Sequence, residues 1–287
     1  MNSEDEQFNR FILKTANEQG LKVGVVELGE PIPKHRKYSI CFCVKNMSRT
    51  VERSLRSILD QIDSDYEVVV VDGGSVDGTI NILEKLQGDY DNLVLVFNHG
   101  KNIGFDRNLA AYSSSGEYLL LQLDADDYYD VGIQGFVETF HKLERRYSED
   151  FYFKGNGINM VKKSFFLSIG GYRPLIRGED RDLWRRLFSM DRIVWFNHEP
   201  FWRKIGYRRN KLIELKNGFN ALVGDFQCGI SYSSYVFWKL RNGVDIPFFC
   251  SLFLFLFSKT KEQFLTPVPF DSYGKLLEVV GSCSVET

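Results

Sequence analysis

The chain has 287 residues, with 36 Lys plus Arg against 38 Asp plus Glu and a net charge of -2. That balance argues against a dedicated nucleic-acid binder, which would carry a marked basic excess. With 44% hydrophobic and 26% charged residues, the composition is that of a globular protein and excludes a disordered chain.

The N-terminus, MNSEDEQFNR, is acidic and lacks an apolar h-region, so no signal peptide is expected. Residues 1–36 read as an appendage. Phe8, Phe11, Ile12 and Ala16 have helical spacing, a short strand follows from Lys22 to Leu28, and Pro31 and Pro33 break the chain. YSICFCV at 38–44 reads as a buried strand. Cys41 and Cys43 share one of its faces, too close for an easy disulfide. There is no CxxC pair to suggest zinc, and the cysteines at 41, 43, 228, 250 and 283 are expected as reduced thiols in a cytosolic protein.

Thr50 to Ile62 predicts a helix with Val51, Leu55, Ile58, Leu59 and Ile62 on one face. EVVVV at 67–71 is the β-branched run of a central parallel strand. Gly73, Gly74 and Ser75 turn the chain, and Asp77 is placed as N-cap of a helix carrying Ile80, Leu83 and Leu86. A strand at Asn92–Phe97, a helix at Asp106–Ser113 and a strand at Glu117–Leu123 complete the alternation. This pattern implies right-handed crossovers: an α/β/α sandwich around a mostly parallel sheet, with ligands at the carboxyl ends of the strands.

After Tyr147 the pattern loosens. A helix is expected from Gly178 or Glu179 to Met190, then a basic segment with Arg203, Lys204, Arg208, Arg209 and Lys211, which reads as a mobile loop closing on a diphosphate, as an anionic-lipid patch or as a solvated charged loop. From Leu212 the chain reads as a helical, aromatic-rich region. Its run IPFFCSLFLFLF at 246–257 is too short for a transmembrane helix, which needs ~20 residues. Two readings stay open: a buried helix, or one lying in a membrane interface with Lys259 and Lys261 beside it.

Four polar segments follow the predicted strands or open a helix. In Asp124-Ala125-Asp126-Asp127 three carboxylates repel one another and resist desolvation. A hard divalent cation relieves that cost and can share its ligands with phosphate; an acidic surface turn is the alternative. Asp72-Gly73-Gly74-Ser75 offers backbone N–H groups to a ligand, or is a plain turn. Arg107, in NIGFDRNLA, could reach a phosphate or base, or be a surface charge. Asp180, in GEDRDL, is a general-base candidate if it faces the acidic cluster, and otherwise a helix-dipole partner. His198 could be a late metal ligand, though a lone histidine is more often structural.

In their order and spacing, YSICFCVKN, SLRSILDQ, EVVVVDGGSVDGT, NIGFDRNLA, GEYLLLQLDADD and GEDRDLWRRL resemble the family 2 glycosyltransferases of GT-A fold. The likeness spans about residues 38–210 and marks 37–210 as a GT-A domain between the 1–36 appendage and the helical 211–287 region. It implies metal-dependent, inverting transfer from a nucleotide sugar, a UDP- or GDP-sugar foremost, to a hydroxyl acceptor. Val44, Asn46 and Gly74 would line the nucleotide site, with Asp72 at the base or ribose and Arg107 on the nucleotide. Asp124, Ala125 and Asp126 would form the DxD segment, Asp124 and Asp126 holding Mg2+ or Mn2+. Asp180 would be the catalytic base, with Glu179 beside it. Arg203, after Trp202, stands where the family often has a Tyr-Arg pair, which implies contact with donor or acceptor.

Two departures stand out. The common DDGS is here Asp72-Gly73-Gly74-Ser75, lacking one carboxylate, and the usual proline after the first strand is replaced by Lys45. The expected partners are a nucleotide sugar and a glycan or lipid-linked acceptor such as a polyprenyl phosphate, with no nucleic acid. The expected place is the cytoplasm, with peripheral contact at the membrane face. Alternatives are a sugar-phosphate nucleotidyltransferase, whose Gly-rich basic signature is missing before Tyr38, and a non-catalytic nucleotide-sugar binder.

Overall fold

The structure, a computed structural model, describes residues 36–98, 102–206, 211–242 and 246–264. The appendage ahead of Arg36, together with Arg208, Arg209 and Cys283, lies outside the described residues.

Strands β1 (Tyr38–Val44), β2 (Tyr66–Asp72), β3 (Leu93–Phe97) and β4 (Tyr118–Asp124) are parallel. The sheet continues through β7 (Asn159–Lys162), antiparallel to β4, then β6 (Tyr152–Lys154) and β8 (Ile193–Trp195), in the order β3-β2-β1-β4-β7-β6-β8. A separate ribbon pairs β5 (Asp127–Tyr129) with β9 (Trp202–Lys204). Every residue of β2 is buried, as an apolar strand covered on both faces should be.

On one face, α1 (Val51–Leu59), α2 (Thr79–Asp89) and α4 (Ile133–Glu144) pack Leu55, Ile58, Leu83 and Phe140 against Ile40, Phe42, Val68 and Leu120. On the other, α3 (Ile103–Ser113) and α6 (Glu179–Ser189) pack Leu109, Ala110, Leu183 and Leu187 against Cys41, Val69, Val71 and Leu121. The short α5 (Lys163–Ser168) follows β7. The α/β/α sandwich expected from the strand–helix alternation is therefore present.

Three local expectations change. Helix α2 begins at Thr79 with Gly78 at the N-cap in the left-handed region (φ 91). Asp77 acts from one residue further out, its Oδ1 accepting from Thr79 N at 3.1 Å and its Oδ2 from Ser48 N at 3.1 Å. Helix α3 starts three residues early, because Asn102 Oδ1 accepts from Gly104 N at 2.9 Å and so caps it. The buried-helix reading of 246–257 does not hold for its outer face. Helix α9 (Phe248–Ser258) leaves Phe249 88% and Phe253 67% exposed. Only its other face joins α7 (Lys211–Gln227) and α8 (Tyr232–Asn242), where Phe255 meets Phe226 at 5.2 Å.

Strand β4 is not regular. Its register against β1 jumps from Ile40↔Leu120 to Phe42↔Leu123, a bulge that leaves Gln122 with φ 69. A non-glycine residue in that conformation is strained and often marks a site.

Candidate active site

The strand order supplies the location. From β1 the chain steps outward through β2 and β3, then returns to the other side of β1 as β4. That reversal opens a crevice at the carboxyl ends of β1 and β4, the usual ligand site of such sheets.

At the end of β2, Asp72 Oδ1 accepts from Gly74 N at 2.9 Å and Ser75 N at 2.8 Å. Gly74 (φ 83) supplies the positive φ this turn needs. Val44 O accepts from Gly73 N at 2.9 Å, Asn46 N donates to Ser75 Oγ at 2.8 Å, and Asn46 Oδ1 accepts from Val76 N at 2.9 Å. Val44, Asn46, Asp72 and Gly74 are thus gathered into one braced loop. Asp72 Oδ2 is buried and accepts no hydrogen bond. A buried acceptor of that kind is costly unless a ligand donor completes it.

At the end of β4, Asp124, Asp126 and Asp127 bring carboxylate oxygens within 4.8 Å of one another. Ala125 turns its methyl into the core between them. Burial pushes the Asp127 carboxyl up to about 6, against the pull of Lys204. Lys204 Nζ stands 2.9 Å from Asp127 Oδ1 and 3.1 Å from Asp126 Oδ1.

Asp180 reaches the same crevice from the first turn of α6. Its Oδ2 accepts from Gln122 Nε2 at 3.4 Å, so the bulge two residues before Asp124 ties it to β4. Gln122 is itself held by Asn159 Nδ2. Arg107 lies between the groups: its Nε is 3.5 Å from Glu179 Oε1, and Asp124 and Asp180 also attract its charge. Glu179 is buried, which pushes its carboxyl above the usual range. Cys43, Arg107, Gln122, Asp124 and Tyr172 line a narrow cavity of about 20 Å³ there. Asp124, Asp126 and Asp127 are thus brought toward Glu179 and Asp180, with Arg107 and Gln122 between them.

A family model described as Glycosyl transferase family 2 matches residues 39–239. The chain belongs to glycosyl transferase family 2. Poly(ribitol-phosphate) beta-glucosyltransferase of Bacillus spizizenii is 32% identical over 137 residues, 45% of this chain and 21% of that protein. An uncharacterized glycosyltransferase of Mycoplasma genitalium is 24% identical over 233 residues, 76% of this chain and 75% of that one. The chain thus spans about a fifth of the first relative's length and three quarters of the second's. Among solved structures, the Pyrobaculum calidifontis mannosyltransferase in complex with GDP-Man and Mn2+ aligns with a TM-score of 0.54 at 17% identity, covering 97% of this chain and 85% of that one. S. aureus TarS 1-349 in complex with UDP-GlcNAc aligns at 0.52 and 16% identity, covering 76% of this chain and 70% of that one. These likenesses show the GT-A fold.

Four residues beside this crevice were not singled out individually by the motifs. Lys204 enters the acidic cluster, while its neighbour Arg203 turns the other way, both Asp130 oxygens 2.6 Å from its Nη1 and its guanidinium 4.1 Å from the Tyr128 ring. Strand alternation in β9 separates the two, and would have flagged Lys204 had β9 been recognised. Gln122 was hidden inside LLLQL. Lys154 is buried between the Trp184 and Trp195 rings, each 4.6 Å away, near Asp180; burial lowers its ammonium to about 8. Asp106 fills the space beside Gly73, where a Cβ would stand 2.9 Å from Asp106 Oδ2. A carboxylate thus lies beside the position at which the DDGS pattern would carry one. His198 is structural: Nε2 accepts from Asn156 N at 2.9 Å, Nδ1 donates to Glu199 O at 2.8 Å, and the ring stacks on Phe196 and Phe201.

Proposed function

We propose that this chain transfers a sugar, with inversion, from a UDP- or GDP-sugar to a hydroxyl acceptor, assisted by Mg2+ or Mn2+. The observation that carries this reading is the meeting of Asp124, Asp126 and Asp127 with Asp180 across Gln122 and Arg107. Asp72 Oδ2 is the open acceptor for a base N–H or a ribose hydroxyl. Val44, Asn46 and Gly74 keep its loop rigid, so little ordering entropy remains to be lost on binding.

Asp124 and Asp126 are the residues to hold the metal, with Asp127 beside them. Their all-oxygen donor set suits a hard divalent ion, and the Lys204 ammonium already stands there as a positive charge. When bound, such an ion acts as a Lewis acid on the diphosphate. Asp180 takes the acceptor's hydroxyl proton while that oxygen bonds to the anomeric carbon, on the face opposite the departing nucleoside diphosphate. A single displacement of this kind inverts the configuration. Arg107, fixed by Glu179, keeps positive charge between Asp124 and Asp180 and so offsets their mutual repulsion.

Thermal-shift measurements with UDP- and GDP-sugars, with and without Mn2+, test the proposal. Binding to the folded state raises Tm, and Asp126→Ala should abolish the Mn2+-dependent part of the rise. No rise with any nucleotide sugar would sink it. Binding without transfer to any acceptor would leave the non-catalytic alternative, and release of pyrophosphate from a nucleoside triphosphate plus a sugar 1-phosphate would point to a nucleotidyltransferase.

For the acceptor, a lipid-linked glycan or polyprenyl phosphate is favoured by α9. Phe249 and Phe253 face outward, and Lys259 and Lys261 flank the same helix. Among the described residues no helix is long and apolar enough to cross a membrane. An interfacial helix of this type binds through apolar area plus attraction to anionic lipid. A cholesterol galactosyltransferase of Borreliella burgdorferi is 26% identical over 98 residues, 34% of this chain and 27% of that protein. Phe249→Asp with Phe253→Asp should abolish sedimentation with anionic vesicles. Unchanged sedimentation would remove this acceptor reading and leave the transferase reading intact.

A further inference from the structure

Lys204 stands against three carboxylates at once. Its Nζ lies 2.9 Å from Asp127 Oδ1, 3.1 Å from Asp126 Oδ1 and 3.7 Å from Asp124 Oδ2. These carboxylates are the cluster suited to a metal among the described residues. The backbone carrying Lys204 is fixed. The β5–β9 register places Lys204 opposite Asp127, and Ile205 N and Gly206 N both donate to Asp126 O, at 2.8 and 3.0 Å. A Cβ at Gly206 would stand 2.6 Å from Asp126 Cβ, so the chain lies tight against that aspartate. The four-carbon stem is therefore the part of Lys204 free to turn.

We propose that Lys204 is a tethered cation that competes with the divalent ion for Asp124, Asp126 and Asp127, and that its displaced ammonium meets the donor's diphosphate. This rests on the metal-assisted reading above. A Mg2+ or Mn2+ ion draws carboxylate oxygens to about 2.1 Å, closer than an ammonium does, and leaves no room for a second cation at their centre. Two cations held that close also repel strongly. Three carboxylates keep two uncompensated negative charges beside Lys204 and only one beside a divalent ion, so the exchange of cations is electrostatically favourable. The diphosphate then brings new negative charge within reach of the same stem, and a lysine ammonium on a flexible chain suits it. The competition keeps a cation against the carboxylates at all times, and it makes divalent-ion binding weak until a nucleotide gives Lys204 another partner.

Calorimetric titration of Mn2+ into wild type, Lys204→Met, Lys204→Arg and Asp126→Asn tests this, with and without saturating UDP and GDP, after a melting curve shows each variant folded. Without nucleotide, Lys204→Met should bind Mn2+ about tenfold more tightly than wild type, since a competing charge is gone. Lys204→Arg keeps the charge and should stay near wild type. With nucleotide the advantage of Lys204→Met should shrink or reverse, because the phosphate contact is lost. Equal Mn2+ affinity of wild type and Lys204→Met, with Asp126→Asn weaker than both, would overturn the competition while leaving the metal reading in place. An advantage undiminished by nucleotide would overturn the phosphate contact. No Mn2+ binding by wild type or Lys204→Met would remove the metal reading and the competition together.

Discussion

The sheet half from Tyr38 to Asp124 and the helices after Lys211 use apolar side chains in opposite ways. In the first, Ile40, Phe42, Val68, Val70 and Leu120 are fully buried, and each strand end is a fixed point from which a polar loop departs. In the second, Phe226 and Tyr235 hold a small core while Phe249, Phe253 and Leu256 face outward. Asp225 of α7 pairs with Arg185 at 2.8 Å and with Arg181 at 3.2 Å, tying the second region to α6, whose Leu183 and Leu187 pack on the sheet. Rigidity is thus spent where charges must be aimed, and exposed apolar surface is kept where a partner must be met. The same Phe content signals core in one region and surface in the other.

The largest expected effect lies on the rigid side. Asp180→Asn keeps shape and the Gln122 neighbour but cannot take a proton, so transfer should fall by about 10²–10⁴-fold. Donor affinity should stay within a factor of about two, because the group acts on the acceptor. Single-turnover transfer measured beside nucleotide-sugar binding separates these, and transfer at the wild-type rate would refute Asp180 as base.

A matched pair of substitutions sharpens the contrast between the regions. Phe153 is fully buried between Phe136, at 4.8 Å, and Phe196, at 5.3 Å. Phe153→Ala should cost about 3–5 kcal/mol in denaturant unfolding. Phe253→Ala, at an exposed position, should stay within about 0.5 kcal/mol. Comparable losses at both positions would mean that the outer face of α9 is covered within the protein.

What was legible in the sequence follows the same division. Continuous β-branched strands such as EVVVV, separated by helices of regular apolar spacing, leave only a parallel sheet as a way to bury both faces, and the acidic and glycine segments fall at its carboxyl edge. Asp72, Asp124, Asp126 and Asp180 could be singled out because each sits at a strand end or helix start. Gln122 could not, because a bulge depends on register against β1, which one strand's sequence does not contain. Lys204 and Asp106 depend on contacts to residues 78 and 33 positions away, with Asp126 and Gly73. The open choice between buried and interfacial for 246–257 was equally beyond the sequence: an apolar helix reads the same whether other helices or nothing covers its outer face.

An effect smaller than the loss at Phe153 concerns Lys154, buried behind Asp180. Burial between Trp184 and Trp195 lowers its pKa from 10.5 to about 8, while the Asp180 charge pulls the other way. Below pH 8 both folded and unfolded chains hold the proton, and the fold bears the cost of a buried ammonium. Between about 8 and 10.5 the folded chain releases the proton while the unfolded chain keeps it, so stability rises with pH. The full span is up to ~3 kcal/mol at 1.36 kcal/mol per unit, less whatever the aromatic rings return to the charged form. Lys154→Met lacks this group but shares every tyrosine and cysteine that titrates in the same range. The stability of wild type relative to Lys154→Met should therefore climb as pH goes from 8 to 10.5. A difference that stays flat across that window would mean that Lys154 is as well solvated in the folded protein as in the unfolded chain, and that the Trp184–Trp195 enclosure opens to water.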